Sequence, residues 1–245
     1  MAGGAKTEVS CMRLWARVAF RSYGNHARSV QRHSAALVFG LLAMVGAMGM
    51  ANAAQRTIRI VALGDSLMAG YQLPAEDAFP AQLERALRAK GFAVEVVNAG
   101  VSGDTSSGGL ARLDWSVPDG TDAVILELGA NDMLRAVDPK VTREALTGIV
   151  RRLKERRIEV LLCGMRAARN LGPDYAGAFD PIYPDLAAAN GLILYPFFLD
   201  GIAADAKLNQ RDGLHPTAAG VATIVTGILP KVEELIARVR AKPAT

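Results

Sequence analysis

Short apolar runs alternate with longer stretches of helical periodicity from residue 58 onward. Runs such as "AVILEL" are almost continuously apolar, which is typical of strands that a parallel sheet buries on both faces. On this basis we predict strands at 58–64, 92–100, 122–129, 158–165 and 192–197. The alternation of strands and helices predicts an α/β fold, a doubly wound parallel sheet with helices on both faces.

Four helices are predicted between and after these strands. The first covers 79–90 with Asp77 as its N-cap, and the second begins at the Asp-Pro pair 138–139, which suits an N-cap and first helical position. The third covers 175–190. The last is predicted to start at Pro216 and to carry one apolar face. That face consists of Val221, Ile224, Val225, Ile228, Val232, Leu235, Ile236 and Val239.

The first 53 residues differ in character from the rest of the chain. Residues 1–33 carry six Lys or Arg and one acid, residues 34–54 carry no charge, and the small residues of Ala51-Asn52-Ala53 follow. This order is typical of a secretory signal peptide, which we predict at 1–53, ahead of one domain at 54–245. An uncleaved membrane anchor is the alternative, because the uncharged run approaches the ~20 residues that span a bilayer. Both readings place the domain outside the cytoplasm, in the periplasm or secreted.

The basic character of the chain belongs to this leader. The net charge of the whole chain is +4, but residues 54–245 hold 22 of the 28 Lys and Arg and 23 of the 24 Asp and Glu, which gives −1. No basic patch therefore indicates a nucleic-acid partner. Cys163 lies in the apolar run "EVLLCGM" and is predicted to be a buried small hydrophobe.

Polar residues cluster in the loops that follow the predicted strands, where a doubly wound sheet binds its ligands. These loops contain "GDSL" (64–67), "NAGVSGDTSSGG" (98–109) and "LGANDMLRA" (128–136), and "RDGLHPTAAG" (211–220) precedes the last helix. Ser66 in the first loop is either a nucleophile at the tip of a strand or an ordinary turn and capping residue. Taken alone, "GDSL" favours the turn.

His215 is the only histidine after residue 53. It follows Asp212 by three residues, so the carboxylate and the ring can lie side by side, as a Ser–His–Asp system requires. A plain loop that enters a helix is the alternative. Gly103 can offer a backbone N–H and Asn131 a side-chain amide to a developing oxyanion, although each is also a common turn residue.

Joined together, "GDSL", the glycine of "SGDT", "GAND" and "DGLHP" resemble the GDSL, or SGNH, hydrolase family in order and spacing. Within it the chain is similar to the periplasmic multifunctional group of acyl-CoA thioesterases, lysophospholipases and arylesterases. The resemblance implies a three-layer α/β/α flavodoxin-like fold with a five-stranded parallel sheet. It also implies Ser66 as nucleophile, His215 as general base and acid, and Asp212 as the residue that orients His215. The oxyanion hole would combine the N–H groups of Ser66 and Gly103 with the Asn131 side chain.

The resemblance extends to candidate substrate contacts. Segment 133–139 corresponds to a mobile loop that helps to hold the acyl chain in the resembled thioesterases, and 165–179 corresponds to the substrate-cleft loop. Packing in the core is the alternative for the apolar side chains, and a solvated surface charge is the alternative for the arginine. Asp65 and Asp132 are interpreted as hydrogen-bond acceptors that hold their loops. The predicted substrate contacts are Met133, Leu134, Ala136 and Arg166.

These residues together predict a monomeric serine esterase or thioesterase that acts on small acyl esters or lipids through an acyl-enzyme, without metal or cofactor. A carbohydrate O-deacetylase of the same family is the alternative, which would have a polar, aromatic cleft. A metallophosphoesterase is disfavoured because one histidine supplies too few ligands. A flavodoxin-like receiver does not require the paired Asp212 and His215. An α/β-hydrolase is disfavoured because the chain contains no G-x-S-x-G elbow.

Overall fold

The computed structural model of the protein describes residues 56–242. The predicted signal peptide at 1–53, with the second cysteine, Cys11, and the two other histidines, lies outside the described residues. No helix between residues 56 and 242 combines the length and the apolar character that a membrane span needs.

Five parallel strands form one sheet at the centre of the fold, and each lies within its predicted range. Because β1 and β3 are neighbours although β2 separates them along the chain, the sheet has a topological switch point between their carboxyl ends. The strand order is β2-β1-β3-β4-β5. The strands are β1 (Ile58–Gly64), β2 (Val94–Gly100), β3 (Ala123–Glu127), β4 (Glu159–Cys163) and β5 (Ile193–Tyr195).

The register brings the ends of the central strands level with one another. Gly64, the last residue of β1, lies opposite Gly100 on β2 and Glu127 on β3, and Glu127 lies opposite Cys163 on β4. The loops that leave these strands therefore start from the same edge of the sheet. This alignment places the loops that carry the predicted site residues next to one another.

Helices cover the sheet in two layers. Within residues 56–242 the helices are, in chain order, α1 (Ser66–Ala69), α2 (Phe79–Ala89), α3 (Ser106–Ala111), α4 (Leu113–Ser116), α5 (Ala130–Leu134), α6 (Pro139–Glu155), α7 (Gly172–Phe179), α8 (Ile182–Asn190) and α9 (Ala218–Ala241). Helix α2 packs against α9, whereas α6 packs against α3 and α8. Connections between parallel strands are right-handed as a rule, and the chain moves in opposite directions across the sheet from β1 to β2 and from β3 to β4, so the two groups belong to opposite faces. This confirms the predicted three-layer α/β/α fold.

Two helix boundaries follow the sequence signals closely. Helix α6 begins at Pro139 as predicted, and the carboxylate of its N-cap, Asp138, accepts a hydrogen bond of 2.9 Å from the Lys140 N–H. The predicted apolar face of α9 is buried along its whole length. This face and the almost fully buried strands β1 and β3 supply much of the hydrophobic core.

The first long helix starts at Phe79 as predicted, but its predicted N-cap, Asp77, and the predicted single helix at 175–190 were wrong. Asp77 is the last residue of a 3₁₀ turn, Ala75–Asp77, so that Ala78 takes the N-cap position of α2 without a side-chain hydrogen bond. The stretch 175–190 is divided between α7 and α8 at Pro181, since proline cannot donate the backbone hydrogen bond that would continue a helix.

The last helix begins two residues later than predicted. Pro216 forms an antiparallel bridge with Asn209, which keeps its backbone extended. Thr217 is the N-cap instead, and its hydroxyl accepts a hydrogen bond of 3.2 Å from the Gly220 N–H. This bridge closes the loop that carries Asp212 and His215.

Candidate active site

Ser66 is the first residue of α1, and only Asp65 separates it from the end of β1. The Asp65 carboxylate caps this helix by accepting a hydrogen bond of 3.0 Å from the Leu67 N–H. A side chain at Gly64 would not fit, because its Cβ would lie 2.6 Å from the carbonyl oxygen of Glu127. The tight turn therefore holds Ser66 at the carboxyl edge of the sheet, next to the switch point.

Backbone and side-chain bonds of Gln210 brace the loop that carries the predicted acid and base. The Gln210 N–H donates to the His215 carbonyl at 2.8 Å. Its side-chain amide donates to the carbonyl of Tyr71 at 2.9 Å and to that of Pro216 at 3.0 Å. Gln210 thus links this loop to the segment that follows α1, and so to the region of Ser66.

The three predicted catalytic side chains form a continuous chain of hydrogen bonds. His215 Nε2 lies 2.9 Å from Ser66 Oγ, and His215 Nδ1 lies 2.7 Å from Asp212 Oδ2. The other oxygen of Asp212 accepts from the backbone N–H groups of Leu214 (2.9 Å) and His215 (3.0 Å). A carboxylate on Nδ1 selects the tautomer in which Nε2 can accept a proton from Ser66.

Hydrogen bonding sets the charge of Asp212. The Leu214 N–H, the His215 imidazole and the His215 N–H, in that order of importance, lower the pKa of Asp212 to about 2. Asp212 is therefore a carboxylate at any pH near neutrality. A fixed negative charge at this position favours the imidazolium that His215 becomes when it takes a proton.

The predicted oxyanion donors lie on the two loops that flank Ser66. Gly103 has a φ of +83°, a left-handed conformation that suits glycine, and its carbonyl accepts a bond of 2.8 Å from Arg135. Asn131 Nδ2 donates to Asp65 Oδ2 at 3.0 Å. The backbone N–H groups of Ser66 and Gly103 donate to no backbone carbonyl among residues 56–242. These N–H groups are thus available to a ligand.

Buried acids hold the surrounding loops, as predicted for Asp65 and Asp132. Asp132 is fully buried and accepts from the backbone N–H of Ser106 at 2.8 Å, from its hydroxyl at 2.5 Å and from the Thr142 hydroxyl at 3.0 Å. These bonds tie α5, which carries Asn131, to the first turns of α3 and α6. Asp132 therefore fixes the position of the neighbouring Asn131.

The predicted substrate contacts have different surroundings. Met133 is partly buried and packs against the core, whereas Leu134 and Ala136 are exposed. Ala136 has a φ of +48°, which is uncommon for a residue other than glycine. Arg166 is exposed, and its guanidinium lies 4.8 Å from the centroid of the Phe197 ring. Leu134 and Ala136 are thus the apolar members of this set that solvent, and hence a ligand, can reach.

Three residues around the site were missed by the sequence reasoning. The Tyr71 ring packs on His215 with centroids 4.5 Å apart. The Arg112 guanidinium is buried beneath the loops, and Glu127 is fully buried at the end of β3. Only Glu127 had a visible signal, as the single charged residue in an apolar strand.

Between residues 56 and 242 no group of three or more His, Cys, Asp or Glu side chains is arranged to hold a metal ion. Cys163 is buried, as predicted, and burial raises the pKa of its thiol well above the usual value. A neutral buried thiol is a poor nucleophile.

The fold and the site together define a hydrolase of the SGNH type, and comparisons with known proteins agree. Residues 62–223 match the GDSL-like Lipase/Acylhydrolase family, and the chain belongs to this family. It is 40% identical over 177 residues to an arylesterase of Vibrio mimicus, which covers 72% of this chain and 88% of that protein.

Two further similarities are to proteins that act on ester or thioester bonds. The chain is 37% identical over 178 residues to "thioesterase 1/protease 1/lysophospholipase L1" of Escherichia coli strain K12, covering 72% of this chain and 84% of that protein. The crystal structure of AlinE4, an SGNH-hydrolase family esterase, matches with a TM-score of 0.63 at 44% identity, covering 78% of this chain and 99% of that one. The resemblance seen in the sequence is confirmed, and the chain is a hydrolase of ester bonds with esterase or thioesterase activity.

Proposed function

We propose that this chain is an exported serine hydrolase that cleaves aryl esters, acyl thioesters and lysophospholipids through an acyl-enzyme on Ser66, without metal or cofactor. The observation that carries the proposal is the unbroken hydrogen-bond chain from Ser66 Oγ through His215 to Asp212, with contacts of 2.9 Å and 2.7 Å. The 2.9 Å contact lets His215 Nε2 take the Ser66 proton without rearrangement, and the 2.7 Å contact holds the ring for that transfer.

Acylation begins when Ser66 Oγ attacks the carbonyl carbon of the ester and His215 Nε2 takes the hydroxyl proton. The imidazolium that forms is stabilised by the Asp212 carboxylate, whose lowered pKa keeps it charged. Collapse of the tetrahedral intermediate breaks the bond to the leaving alcohol or thiol, which receives the proton from His215. A water molecule then repeats the sequence on the acyl-enzyme, releasing the acid and restoring Ser66.

Three N–H donors would stabilise the negative oxygen of each tetrahedral intermediate: the backbone groups of Ser66 and Gly103 and the amide of Asn131. These donors belong to three separate loops that the aligned ends of β1, β2 and β3 bring together. Loss of one such donor typically costs about 10²–10³ in rate.

Exposed apolar side chains near the proposed site residues favour an acyl chain as the bound group. Six large apolar side chains are exposed among the described residues, and four of them lie within five positions along the chain of Ser66, Gly103, Asn131 or His215. Apolar groups that gather around a catalytic cleft indicate a surface for an apolar ligand. The four are Tyr71, Val101, Leu134 and Leu214, which are 39–51% exposed.

Hydrolysis of p-nitrophenyl esters from acetate to dodecanoate tests this proposal. We expect Ser66→Ala and His215→Ala to lose at least ~10³ of turnover. Ser107→Ala, at an exposed serine of α3, is the matched control and should keep the full rate. Unchanged turnover in Ser66→Ala would disprove the proposal, and a sharp preference for acetate would favour the carbohydrate O-deacetylase instead.

Export is proposed from the sequence alone, by way of a signal peptide at 1–53. Mass spectrometry of the protein recovered from the periplasm or medium should show a chain that begins near Ala54, and sedimentation of that protein should show a monomer. Recovery of the full chain in the membrane fraction would favour the anchor.

A further inference from the structure

Glu127 is an acid in an environment that opposes its negative charge. It is fully buried at the end of β3, between Gly64 of β1 and Cys163 of β4. Its Oε2 accepts a single long hydrogen bond of 3.4 Å from the Asp65 N–H, and its Oε1 has no partner among the described residues. A carboxylate with so few donors is strongly destabilised when buried, whereas a neutral carboxylic acid is tolerated.

Asp65, the neighbouring acid, is also fully buried but is surrounded differently. Its two oxygens accept bonds of 3.0 Å from the Leu67 N–H and from the Asn131 amide. Both donors favour the charged form of Asp65. Glu127 Oε2 lies 3.4 Å from the Asp65 backbone nitrogen, and the two carboxyl groups are close enough to affect each other's pKa, so a protonated Glu127 can donate a hydrogen bond to the Asp65 carboxylate.

The same contrast governs the pKa values. Burial, and then the charge of Asp65, raise the pKa of Glu127 well above its usual range. Burial also raises the pKa of Asp65, to about 6, but the bonds from Leu67, Asn131 and Glu127 limit that rise. The donors on Asp65 and their scarcity around Glu127 therefore favour the charge on Asp65 and the proton on Glu127.

The other titratable or charged groups that face the pair do not change this assignment. Two of them are buried and neutral, since burial raises their pKa values. These two are Cys163 and Tyr183. His215 lowers the pKa of Asp65, and the Arg112 guanidinium donates to the Gly64 carbonyl at 2.8 Å.

We propose that protonated Glu127 donates a hydrogen bond to Asp65, and that the Asp65 carboxylate, kept charged in this way, holds the amide nitrogen of Asn131 so that it faces the substrate. Glu127 and Asp65 are then positioning residues of the oxyanion hole. The inference rests on the proposed function, because the orientation of Asn131 matters only if an oxyanion forms beside Ser66.

The reason lies in the two orientations of an amide. A carboxylate can only accept hydrogen bonds, so a charged Asp65 requires the Asn131 nitrogen, and one N–H of that nitrogen remains for the oxyanion. A neutral Asp65 could donate to the amide oxygen instead. The amide would then be free to flip and present its oxygen to the developing negative charge, which it would repel.

The test compares kcat and KM from pH 5 to 9 for the full chain and three variants. Asp65→Asn removes the charge and should lower kcat about ten- to hundredfold at every pH, with KM within about twofold. Glu127→Leu removes the hydrogen-bond donor and so raises the pKa of Asp65. The acid limb of the kcat profile should therefore move upward by about one pH unit, and kcat should return to the wild-type value at high pH. Glu127→Gln keeps a donor to Asp65 and should retain the wild-type profile.

Several results would overturn the inference. These are an unchanged kcat in Asp65→Asn, an unmoved acid limb in Glu127→Leu, or a loss in Glu127→Gln as large as that in Glu127→Leu. Ser66→Ala, measured in parallel, separates this inference from the proposed function. If Ser66→Ala retains turnover, the proposed function fails as well; if it is inactive, a failure concerns the acid pair alone.

A spectroscopic measurement keeps the inference testable if Glu127→Leu does not fold. The infrared difference spectrum between the wild type and Glu127→Gln at pH 7 should contain the C=O stretch of a protonated carboxylic acid. Titration to higher pH should convert that band to carboxylate. A wild type without the acid band at pH 7 would show that Glu127 is ionised and would refute the proton assignment.

Discussion

Replacing Arg112 with methionine would remove a buried charge on which several elements of the site depend. The guanidinium donates to the Asp104 carboxylate at 2.6 Å, to the Ala99 carbonyl and the Ser116 hydroxyl at 2.9 Å, and to the Gly64 carbonyl at 2.8 Å. Arg112 therefore joins the ends of β1 and β2 to the loop after β2, which carries the proposed oxyanion donor Gly103. The side chains of Arg112 and Asp104 are only 8% and 12% exposed.

The size of the effect follows from this burial. Methionine can fill the aliphatic volume, but it leaves the Asp104 charge without its partner and removes one donor each from the Ala99 and Gly64 carbonyls. Removal of one partner from a buried ion pair costs about 3–5 kcal/mol of unfolding free energy. For a domain of this size each kcal/mol corresponds to about 2–4 °C, so the Tm should fall by roughly 6–20 °C.

An exposed ion pair provides the matched control. Arg151 lies 3.9 Å from Glu155 on α6, with side chains that are 72% and 65% exposed. Exposed pairs of this kind contribute about 0–1 kcal/mol, so Arg151→Met should change the Tm by no more than ~4 °C. In the double variant Arg112→Met/Asp104→Asn part of the loss should be recovered, because no unpaired charge remains.

Thermal and urea unfolding followed by circular dichroism would measure these differences, with ester hydrolysis recorded well below each Tm. We expect a reduced kcat in Arg112→Met, since the loop that carries Gly103 loses its anchor at Asp104. A Tm loss in Arg112→Met no larger than that in Arg151→Met would refute the reasoning.

Three further predictions concern single residues. Asn131→Ala should lower kcat by about 10²–10³ with little change in KM in steady-state kinetics, because the oxyanion loses a donor. Asp212→Asn should lower kcat by about 10³–10⁴. Because the pKa of Asp212 is lowered to about 2, its carboxylate should stabilise the folded state above about pH 4, the ordinary carboxyl pKa, and this contribution should disappear as the pH falls toward 2. Acid unfolding of the wild type and of Asp212→Asn would measure that difference. Gly129→Ala should be strongly destabilised, since its Cβ would lie 2.1 Å from the Tyr183 hydroxyl at a φ of +113°, whereas Gly177→Ala, in open space within α7, should gain about 0.5–1 kcal/mol in urea unfolding.

Local sequence determined the strands and the residues at their ends. All five strands lie within their predicted ranges, because a continuous apolar run needs no knowledge of its neighbours to be recognised as buried. The start of α6 was equally local, since Asp138 and Pro139 act on their own helix. Where two local signals competed, the prediction failed, as at Asp77 and Pro181.

The candidate site was predictable only in part. Ser66, Asp212 and His215 could be named from the sequence, but Ser66 and His215 are 149 residues apart, and the strand order brings their loops together. The hydrogen-bond distances between them depend on the register of β1 and on the bridge that closes the Asp212 loop.

The roles of Tyr71, Arg112 and Glu127 became visible only in the tertiary structure. Tyr71 and Arg112 are ordinary residues in their local sequence, and Glu127 stands out only as a charge in an apolar strand. Their roles come from what surrounds them, which is an imidazole ring, a set of buried acceptors and a second acid respectively. A sequence determines which groups are available and where strands and helices form. The charge of a carboxyl group and the partners of a guanidinium depend on burial and on distant segments, and only the folded chain decides those.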